Sequence, residues 1–267
     1  MGVADYFKDK VVVITGASSG IGYDLAEYLG GFGAHLALVA RRADKLTELA
    51  GRCASAGAET LVLPADVCSR AEMEGVRDAI IDKWGRADIV IGNAGIGGLN
   101  PADRFDLDIH RRTVEVNILG LAYTLVPFIP LMLGQGSGQL VGVSSLAGFR
   151  GLPKAASYSS TKSAQAVFME SLRVDLKPCG IFCSSIHPGF VTTPMTAHDD
   201  FSMPFTISAR KSSELISRAL MQRKSVYLYP WQMRIATWFN RRLPNWLFDW
   251  MMPRVAGHKE DAAPKTL

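Results

Sequence analysis

Apolar residues along this chain come in short uninterrupted runs, separated by longer stretches in which they recur every three or four positions. Residues 10–15 (Lys-Val-Val-Val-Ile-Thr) open the series, mostly β-branched and apolar, as in a parallel strand covered on both faces. Equivalent runs follow at 35–40, 59–64, 87–92, 139–143 and 181–186. Between them the pattern predicts helices ending near Gly30, over 42–56, and from an N-cap at Ser69 to about Trp84. A further helix carries Tyr158 and Lys162 to about Lys177, where Pro178 and Gly180 stop it. Strands and helices alternating at this spacing mean βαβ units and an α/β, doubly wound parallel sheet.

Residues 116–149 hold no charge. A membrane span needs an uninterrupted apolar run of about 20 residues. Asn117, Pro127, Pro130 and the polar, glycine-rich 134–138 interrupt this one. The expectation is a long helix buried against a partner subunit, then the fifth strand.

Candidate chemistry gathers where the runs end. The first passes through Gly16-Ala17-Ser18-Ser19-Gly20-Ile21-Gly22 into a helical pattern. Strand, glycine-rich turn, helix is the setting in which backbone approaches a pyrophosphate, whose charge sits against the helix N-terminus. The spacing is Gly-x-x-x-Gly-x-Gly, not the Gly-x-Gly-x-x-Gly of other dinucleotide folds. The second run ends at Ala40, where an acidic residue would bond a ribose 2′-hydroxyl; Arg41 and Arg42 follow instead. Guanidinium groups suit a 2′-phosphate by charge and by fork geometry, which favours NADP(H) over NAD(H). Asp66-Val67 and Asn93-Ala94-Gly95 close the third and fourth runs, and ligands of open α/β sheets collect at such strand ends. After the sixth run come His187-Pro188-Gly189-Phe190-Val191-Thr192-Thr193-Pro194. Pro-Gly fixes a sharp turn there, and His187 reads as a packed strand-end residue.

Tyr158 and Lys162 are four apart, so on a helix they share one face, one turn apart. A Tyr hydroxyl ordinarily titrates near ~10, and a nearby ammonium lowers that value. The phenol can then exchange a proton near neutral pH. Ser145 closes the fifth run thirteen residues earlier, and a loop can bring its hydroxyl back beside the Tyr. A carbonyl oxygen held between two hydroxyls, with a lysine behind, is a place to protonate an alkoxide as it forms. The hydride donor has to be held elsewhere in the chain.

Length and composition narrow the class. The chain of 267 residues is long enough for one large α/β domain and short for two. Its 48% hydrophobic and 20% charged residues fit a sizeable core. The net charge of +4 is spread out, with basic clusters beside aromatics only toward the C-terminus, which argues against nucleic acid. The four cysteines indicate a reducing compartment. Cys179 and Cys183 read as two buried thiols rather than ligands, and no metal site is expected. The start shows no charged segment leading into an apolar one, so a cytoplasmic location is expected.

With these residues assembled, the chain resembles the short-chain dehydrogenase/reductase family over roughly residues 8–230. The resemblance rests on Thr15-Gly16-x-x-x-Gly20-x-Gly22, Asn93-Ala94-Gly95, Asn117, Ser145, Tyr158-x-x-x-Lys162 and Pro188-Gly189, in order and at family-like spacing. It implies a Rossmann-type sheet of about seven parallel strands, assembled as a homodimer or homotetramer. It also implies that Tyr158 is the general acid/base, that Ser145 polarises the substrate oxygen, and that Lys162 lowers the Tyr pKa and holds the nicotinamide ribose. Asn117 would support a water chain leading to Lys162. Gly16, Ser18, Ser19, Gly20, Ile21 and Gly22 would hold the pyrophosphate side, and Arg41 with Arg42 the 2′-phosphate. Asp66 and Val67 would meet the adenine, and Asn93, Ala94 and Gly95 the adenosine side. Pro188 and Gly189 shape the turn before Val191 and Thr193, which would meet the carboxamide. The thirteen-residue spacing selects Ser145 over Ser144 as partner of Tyr158.

The implied substrate pocket (Ser145, Leu146, Phe149, Tyr158 and Phe190, with 96–99, Leu152 and the loop 195–205) is mostly apolar. A hydrophobic ketone, aldehyde or alcohol is the inference, lipid-like, steroid-like or aromatic. That loop, with its polar tip His198-Asp199-Asp200, is a candidate lid. After the catalytic region 1–230, residues 231–256 carry four of the five tryptophans among several arginines. They read as helices covering the pocket, a partner subunit or a membrane surface, the last giving peripheral membrane association. Residues 257–267 read as a disordered tail. The rival from another class is a catalytically silent cofactor-binding scaffold of the same fold. The joint presence of Asn117, Ser145, Tyr158 and Lys162 speaks against it.

Overall fold

The computed structural model describes residues 2–196 and 203–255. After a short helix α1 (Val3–Phe7), strand β1 (Val11–Thr15) is buried along its whole length. It pairs in parallel with β2 (His35–Ala40) on one side and β4 (Ile89–Gly92) on the other. With β3 (Thr60–Pro64), β5 (Gly138–Val143), β6 (Ile181–Pro188) and β9 (Val226–Tyr229), they form one parallel sheet in the order β3-β2-β1-β4-β5-β6-β9. The two-residue strands β7 (Val191–Thr192) and β8 (Ile207–Ser208) pair only with each other.

Alternate side chains of a strand enter opposite faces of the sheet, so each buried strand feeds two cores. Val12 and Ile14 pack with Leu25 and Leu29 of α2 (Gly20–Gly30), Leu46 of α3 (Ala43–Ser55) and Ile216 of α9 (Ala209–Met221). Val11 and Val13 belong to the other core, with Met73 and Ile80 of α4 (Arg70–Trp84) and Met169 of α8 (Ala156–Leu176). Each of these fully buried side chains contributes roughly 1.5–3 kcal/mol relative to exposure. The strand order reverses between β1 and β4. Their C-terminal ends therefore open a crevice, the switch point at which ligands of such sheets bind.

The uncharged stretch is not one long helix. After α5 (Leu107–Val114), which precedes it, it runs through a π-helical turn (Glu115–Leu119), α6 (Gly120–Leu125), a 3-10 turn (Val126–Phe128) and α7 (Ile129–Gln135) before the fifth strand. Pro127 and Pro130 bring no N–H to a continuous helix. By length and composition the whole run Leu107–Gln135 could cross a membrane, yet 44% of its apolar window is buried in this fold. Leu119, Val126 and Leu133, seven apart, stay exposed, as do Val167 and Val174 on α8.

Elements outside the sequence pattern include α1, α5, the β7–β8 pair, α9 and β9. Strand β9 is a short, partly exposed edge whose apolar run, Val226–Tyr229, is only four residues long. Helix α9 buries Ser212, Ser213 and Ser217, so its inward face does not read as hydrophobic. The chain ends in α10 (Trp231–Asn240) and α11 (Asn245–Val255). Arg150 fastens their junction to the body, donating to the carbonyls of Asn240 (2.5 Å) and Leu243 (2.7 Å) and lying 3.9 Å over the Phe248 ring. The tail 257–267 lies outside the described residues.

Cys179 is exposed while Cys183 is buried, so the reading of two buried thiols holds for only one of them. Cys179 sits in the 3-10 turn before β6, and Cys183 faces inward from the strand.

Candidate active site

The crevice is built first from backbone. Gly16 has φ +70°, and a Cβ there would lie 2.9 Å from the Ala94 Cα; one on Gly22 would lie 2.6 Å from the Gly16 carbonyl oxygen. Side chains at either position would force apart the two strand ends. Thr15 and Asn93 lock them together. The Thr15 hydroxyl donates to the Ile91 carbonyl (3.3 Å) and accepts from the N–H groups of Asn93 and Ala94, while Asn93 Nδ2 donates to the Thr15 carbonyl (3.0 Å).

The N-terminus of α2 differs from those of α4, α5 and α9. Ser69, Asp106 and Ser208 each accept a backbone N–H as caps of α4, α5 and α9. Ser19 makes no such side-chain bond at α2. The first-turn N–H groups and the positive end of the helix dipole are thus left for an anion, which fits a pyrophosphate. At the end of β2, Arg42 donates to the Ser18 hydroxyl (Nη2, 2.9 Å) and carbonyl (3.1 Å), which stiffens the glycine turn. Arg41 is 66% exposed and touches only the edge of Asp66, at 4.0 Å. Partial burial pushes the Asp66 carboxyl up, but the Cys68 N–H and the Arg112 and Arg41 guanidiniums outweigh it and leave it below its usual value. The residues present therefore fit a dinucleotide, with the exposed Arg41 guanidinium at the end where its adenosine would lie.

At the other end, Ser145 closes β5 and begins a 3-10 turn (Leu146–Gly148), its hydroxyl accepting from the Ala147 N–H (3.2 Å). Tyr158 and Lys162 lie on α8, with the Lys162 ammonium 5.6 Å from the Tyr158 ring centroid. Lys162 is buried, and burial lowers its pKa to about 7. Its Nζ donates to the Val143 carbonyl (3.1 Å) and to Gln165 Oε1 (3.0 Å). Ser144 is engaged elsewhere: its hydroxyl donates to the Lys162 carbonyl (2.8 Å). Asn117 stands in the π-helical turn, where such bulges commonly mark functional positions. Its amide brackets Ile96, accepting from the N–H and donating to the carbonyl, each at 2.9 Å.

His187 packs at the end of β6 beneath Ser145. Nδ1 faces the Ser145 carbonyl (3.2 Å) and must donate; Nε2 faces the Ser185 hydroxyl (2.8 Å) and accepts. Burial, reinforced by the Lys162 charge, pushes its pKa down to about 4, so it is neutral at physiological pH.

One cleft of about 390 Å³ joins these parts. It is lined by Gly16, Ser18, Ser19, Gly20 and Ile21, by Arg41, Arg42, Asp66 and Val67, and by Asn93, Ala94 and Gly95. Ser145, Tyr158, Lys162, Pro188, Gly189, Val191 and Thr193 complete the predicted set. Gly22 and Asn117 stand behind the wall rather than in it. Leu146, Phe149 and Phe190 also lie outside this lining: Leu146 is buried against Gly189, and Phe149 lies tilted against the His187 ring (4.6 Å) with Arg241 above it (5.1 Å). Met195, expected at the pocket as part of the loop 195–205, is in the lining, whereas Arg112 and Val143 line it without having been singled out in the sequence. Nor was Gln165 singled out, although its place three residues after Lys162 on one helix face was a usable signal. The proposed lid tip His198-Asp199-Asp200 lies outside the described residues. Among the described residues no His/Cys/Asp/Glu group could hold a metal ion.

Fold and cleft together define a dinucleotide-binding α/β protein. The family model described as short chain dehydrogenase matches residues 10–201. An uncharacterized oxidoreductase of Myxococcus xanthus is 38% identical over 241 residues, covering 90% of this chain and 95% of that protein. The crystal structure of a 3-ketoacyl-(acyl-carrier-protein) reductase from Brucella melitensis, complexed with NADH, aligns with TM-score 0.75 and 26% identity over 83% of this chain and 96% of that one. L-sorbose reductase from Gluconobacter frateurii, complexed with NADPH and L-sorbose, shares the fold at TM-score 0.76 and 24% identity, over 84% and 95% of the two chains. The chain belongs to the short-chain dehydrogenase/reductase family. It is an NAD(P)-dependent oxidoreductase of carbonyl and alcohol groups.

Proposed function

We propose that the enzyme interconverts a hydrophobic ketone or aldehyde and its alcohol, prefers NADP(H), and uses Tyr158 as general acid/base. The observation that carries this reading is the buried, carboxylate-free Lys162 one turn from Tyr158, in the same cleft as Ser145 and the glycine turn. The turn from Gly16 to Gly22 and the N-terminus of α2 would hold the pyrophosphate, Arg41 and Arg42 the 2′-phosphate, and Lys162 the nicotinamide ribose. When bound, the cofactor supplies or accepts the hydride at the carbonyl carbon. In the reductive direction the Ser145 and Tyr158 hydroxyls receive the carbonyl oxygen, and Tyr158 gives it a proton. The Lys162 ammonium favours the phenolate left behind. Asn117 fixes the loop at Ile96, which borders the reacting end.

An apolar substrate is supported by that end of the cleft. Gly97 lies against both the Tyr158 ring and Met195 Sδ, and Ile96 and Met195 line the wall. The stripes Leu119/Val126/Leu133 and Val167/Val174 support a homo-oligomer formed through α6–α7 and α8. The exposed tryptophans of α10 and α11, with Arg234, Arg241 and Arg242, support peripheral contact with an anionic membrane surface. Tyr158→Phe tests the mechanism. Loss of the proton donor should lower kcat by roughly 10²–10⁴-fold with cofactor binding retained; turnover unchanged within error would remove Tyr158 from the reaction.

A further inference from the structure

A buried ammonium needs oxygen acceptors, because burial without partners drives it toward the neutral form. Lys162 has no carboxylate to meet this need: none of the ion pairs among the described residues involves it. Two of its three N–H bonds end on neutral oxygens, the Val143 carbonyl (3.1 Å) and Gln165 Oε1 (3.0 Å). Gln165 is itself 1% exposed, and its other end is fixed: Nε2 donates to the Asn117 carbonyl at 2.5 Å. The Asn117 side chain is already occupied by Ile96 and by the Thr161 hydroxyl (3.0 Å). The π-helical turn thus offers one backbone carbonyl, and Gln165 occupies it.

We propose that Gln165 is a positioning residue for the catalytic lysine, its side-chain amide spanning from the Asn117 carbonyl to the Lys162 ammonium and holding that ammonium charged and in place beneath Tyr158. An amide suits the position because its two ends differ. The NH₂ matches a carbonyl and the oxygen matches an ammonium, with no added charge. Glutamate would present an acceptor to the Asn117 carbonyl as well, and would replace a dipole by a counter-ion. A leucine or methionine would leave both the Asn117 carbonyl and one ammonium N–H without a partner. Burial lowers the Lys162 pKa to about 7, and the Gln165 oxygen, 3.0 Å from Nζ, is placed to oppose that fall.

Two titratable groups face the ammonium. Tyr158 is one turn before it on α8, and His187 on β6 is neutral above about pH 4. The segments that reach Lys162 from β5 and from the π-helical turn offer it only the Val143 carbonyl and, through Gln165, the Asn117 carbonyl. The proposal rests on Lys162 being the active-site lysine, so its test is made independent of turnover. Protein labelled with ¹³C at lysine Cε is titrated by NMR, and the Lys162 signal is assigned by its absence in Lys162→Arg. Expected is the order Gln165→Met, wild type, Gln165→Glu from lowest to highest Lys162 midpoint, with Glu raising it by about one unit or more. Gln165→Met keeps chain length and apolar volume; if Gln165→Glu fails to fold, the fall in Gln165→Met alone decides. Midpoints in the folded variants that coincide with wild type would overturn the proposal, whatever Tyr158→Phe does to activity.

Discussion

The two ends of the cleft are made of different material. At the cofactor end, β1 and β4 are held by Thr15 and Asn93, and glycines stand where a Cβ would strike neighbouring backbone. At the substrate end, the chain just after Pro188 forms only the two-residue strands β7 and β8, and beyond β9 it ends in two helices that leave Trp231, Trp238, Trp246 and Trp250 more than half exposed. The first end is shaped by backbone sterics, with little latitude. The second is shaped by side chains that could change without disturbing the sheet. This is the division expected where one ligand is common to a family and the other is not.

His187 sits where the two ends meet, and substituting it breaks the comparison most sharply. The native state keeps it neutral with a pKa of about 4, below the 6.5 of an unconstrained imidazole. Below pH 6.5 the unfolded chain binds a proton that the folded chain refuses. The stabilising contribution is complete above pH 6.5 and is lost as pH falls toward 4. At 1.36 kcal/mol per unit the loss amounts to about 3 kcal/mol. Urea midpoints of wild type and His187→Gln between pH 7 and pH 4 would show it as a shallower acid decline in the variant. Equal declines would mean that His187 does not set the acid limit.

The arginines probe the cofactor end alone, and the structure separates their tasks. Arg42 is tied to Ser18, so Arg42→Ala should loosen the glycine turn and weaken NADPH and NADH together. Arg41 is exposed and holds little, so Arg41→Ala should weaken NADPH about tenfold, about 1.4 kcal/mol, and NADH by about twofold at most. Fluorescence titrations of the two variants with each nucleotide decide this. Equal losses of both nucleotides in Arg41→Ala would sink its role in choosing between them.

How much was legible in the sequence follows the same division. The β1 run and the Gly16–Gly22 turn could be located because a doubly buried strand is apolar at every position and glycine marks close approach. The cap at Ser69 was visible for a similar local reason, and its hydroxyl accepts from the Glu72 N–H. The π-helical turn at Asn117 was not visible, because an inserted helical residue leaves the apolar period nearly unchanged. Helix α9 was hidden by serines on its buried face, and Phe149, expected at the substrate wall, lies tilted against the His187 ring. The i,i+3 pairing of Lys162 and Gln165 could be seen in the sequence, but the bridge onward to the Asn117 carbonyl required knowing that α8 lies against the π-helical turn. That is a fact of packing, and no spacing within one segment encodes it.

The smallest effect concerns the far end of the chain. On α10, Trp231, Ile235, Trp238 and Phe239 fall on one helical stripe, all exposed, and Trp246 and Trp250 repeat the spacing on α11. Arg234, Arg241 and Arg242 accompany them, with Asp249 the only acidic residue between 231 and 252. If an anionic bilayer covers this face, the full chain should sediment with phosphatidylglycerol-containing vesicles and not with phosphatidylcholine alone. An arginine near such a surface contributes about 1 kcal/mol, so Arg234→Ala should lower partitioning about fivefold. Replacing Trp231 and Trp238 by serine should remove binding without unfolding, since both side chains are more than half exposed. A chain that never sediments with either vesicle would assign the aromatic face to a second copy of the protein. Sedimentation velocity would then show an oligomer that the same tryptophan variants dissociate. In either case the substrate end would be completed by something outside the chain, whereas the cofactor end is complete within it.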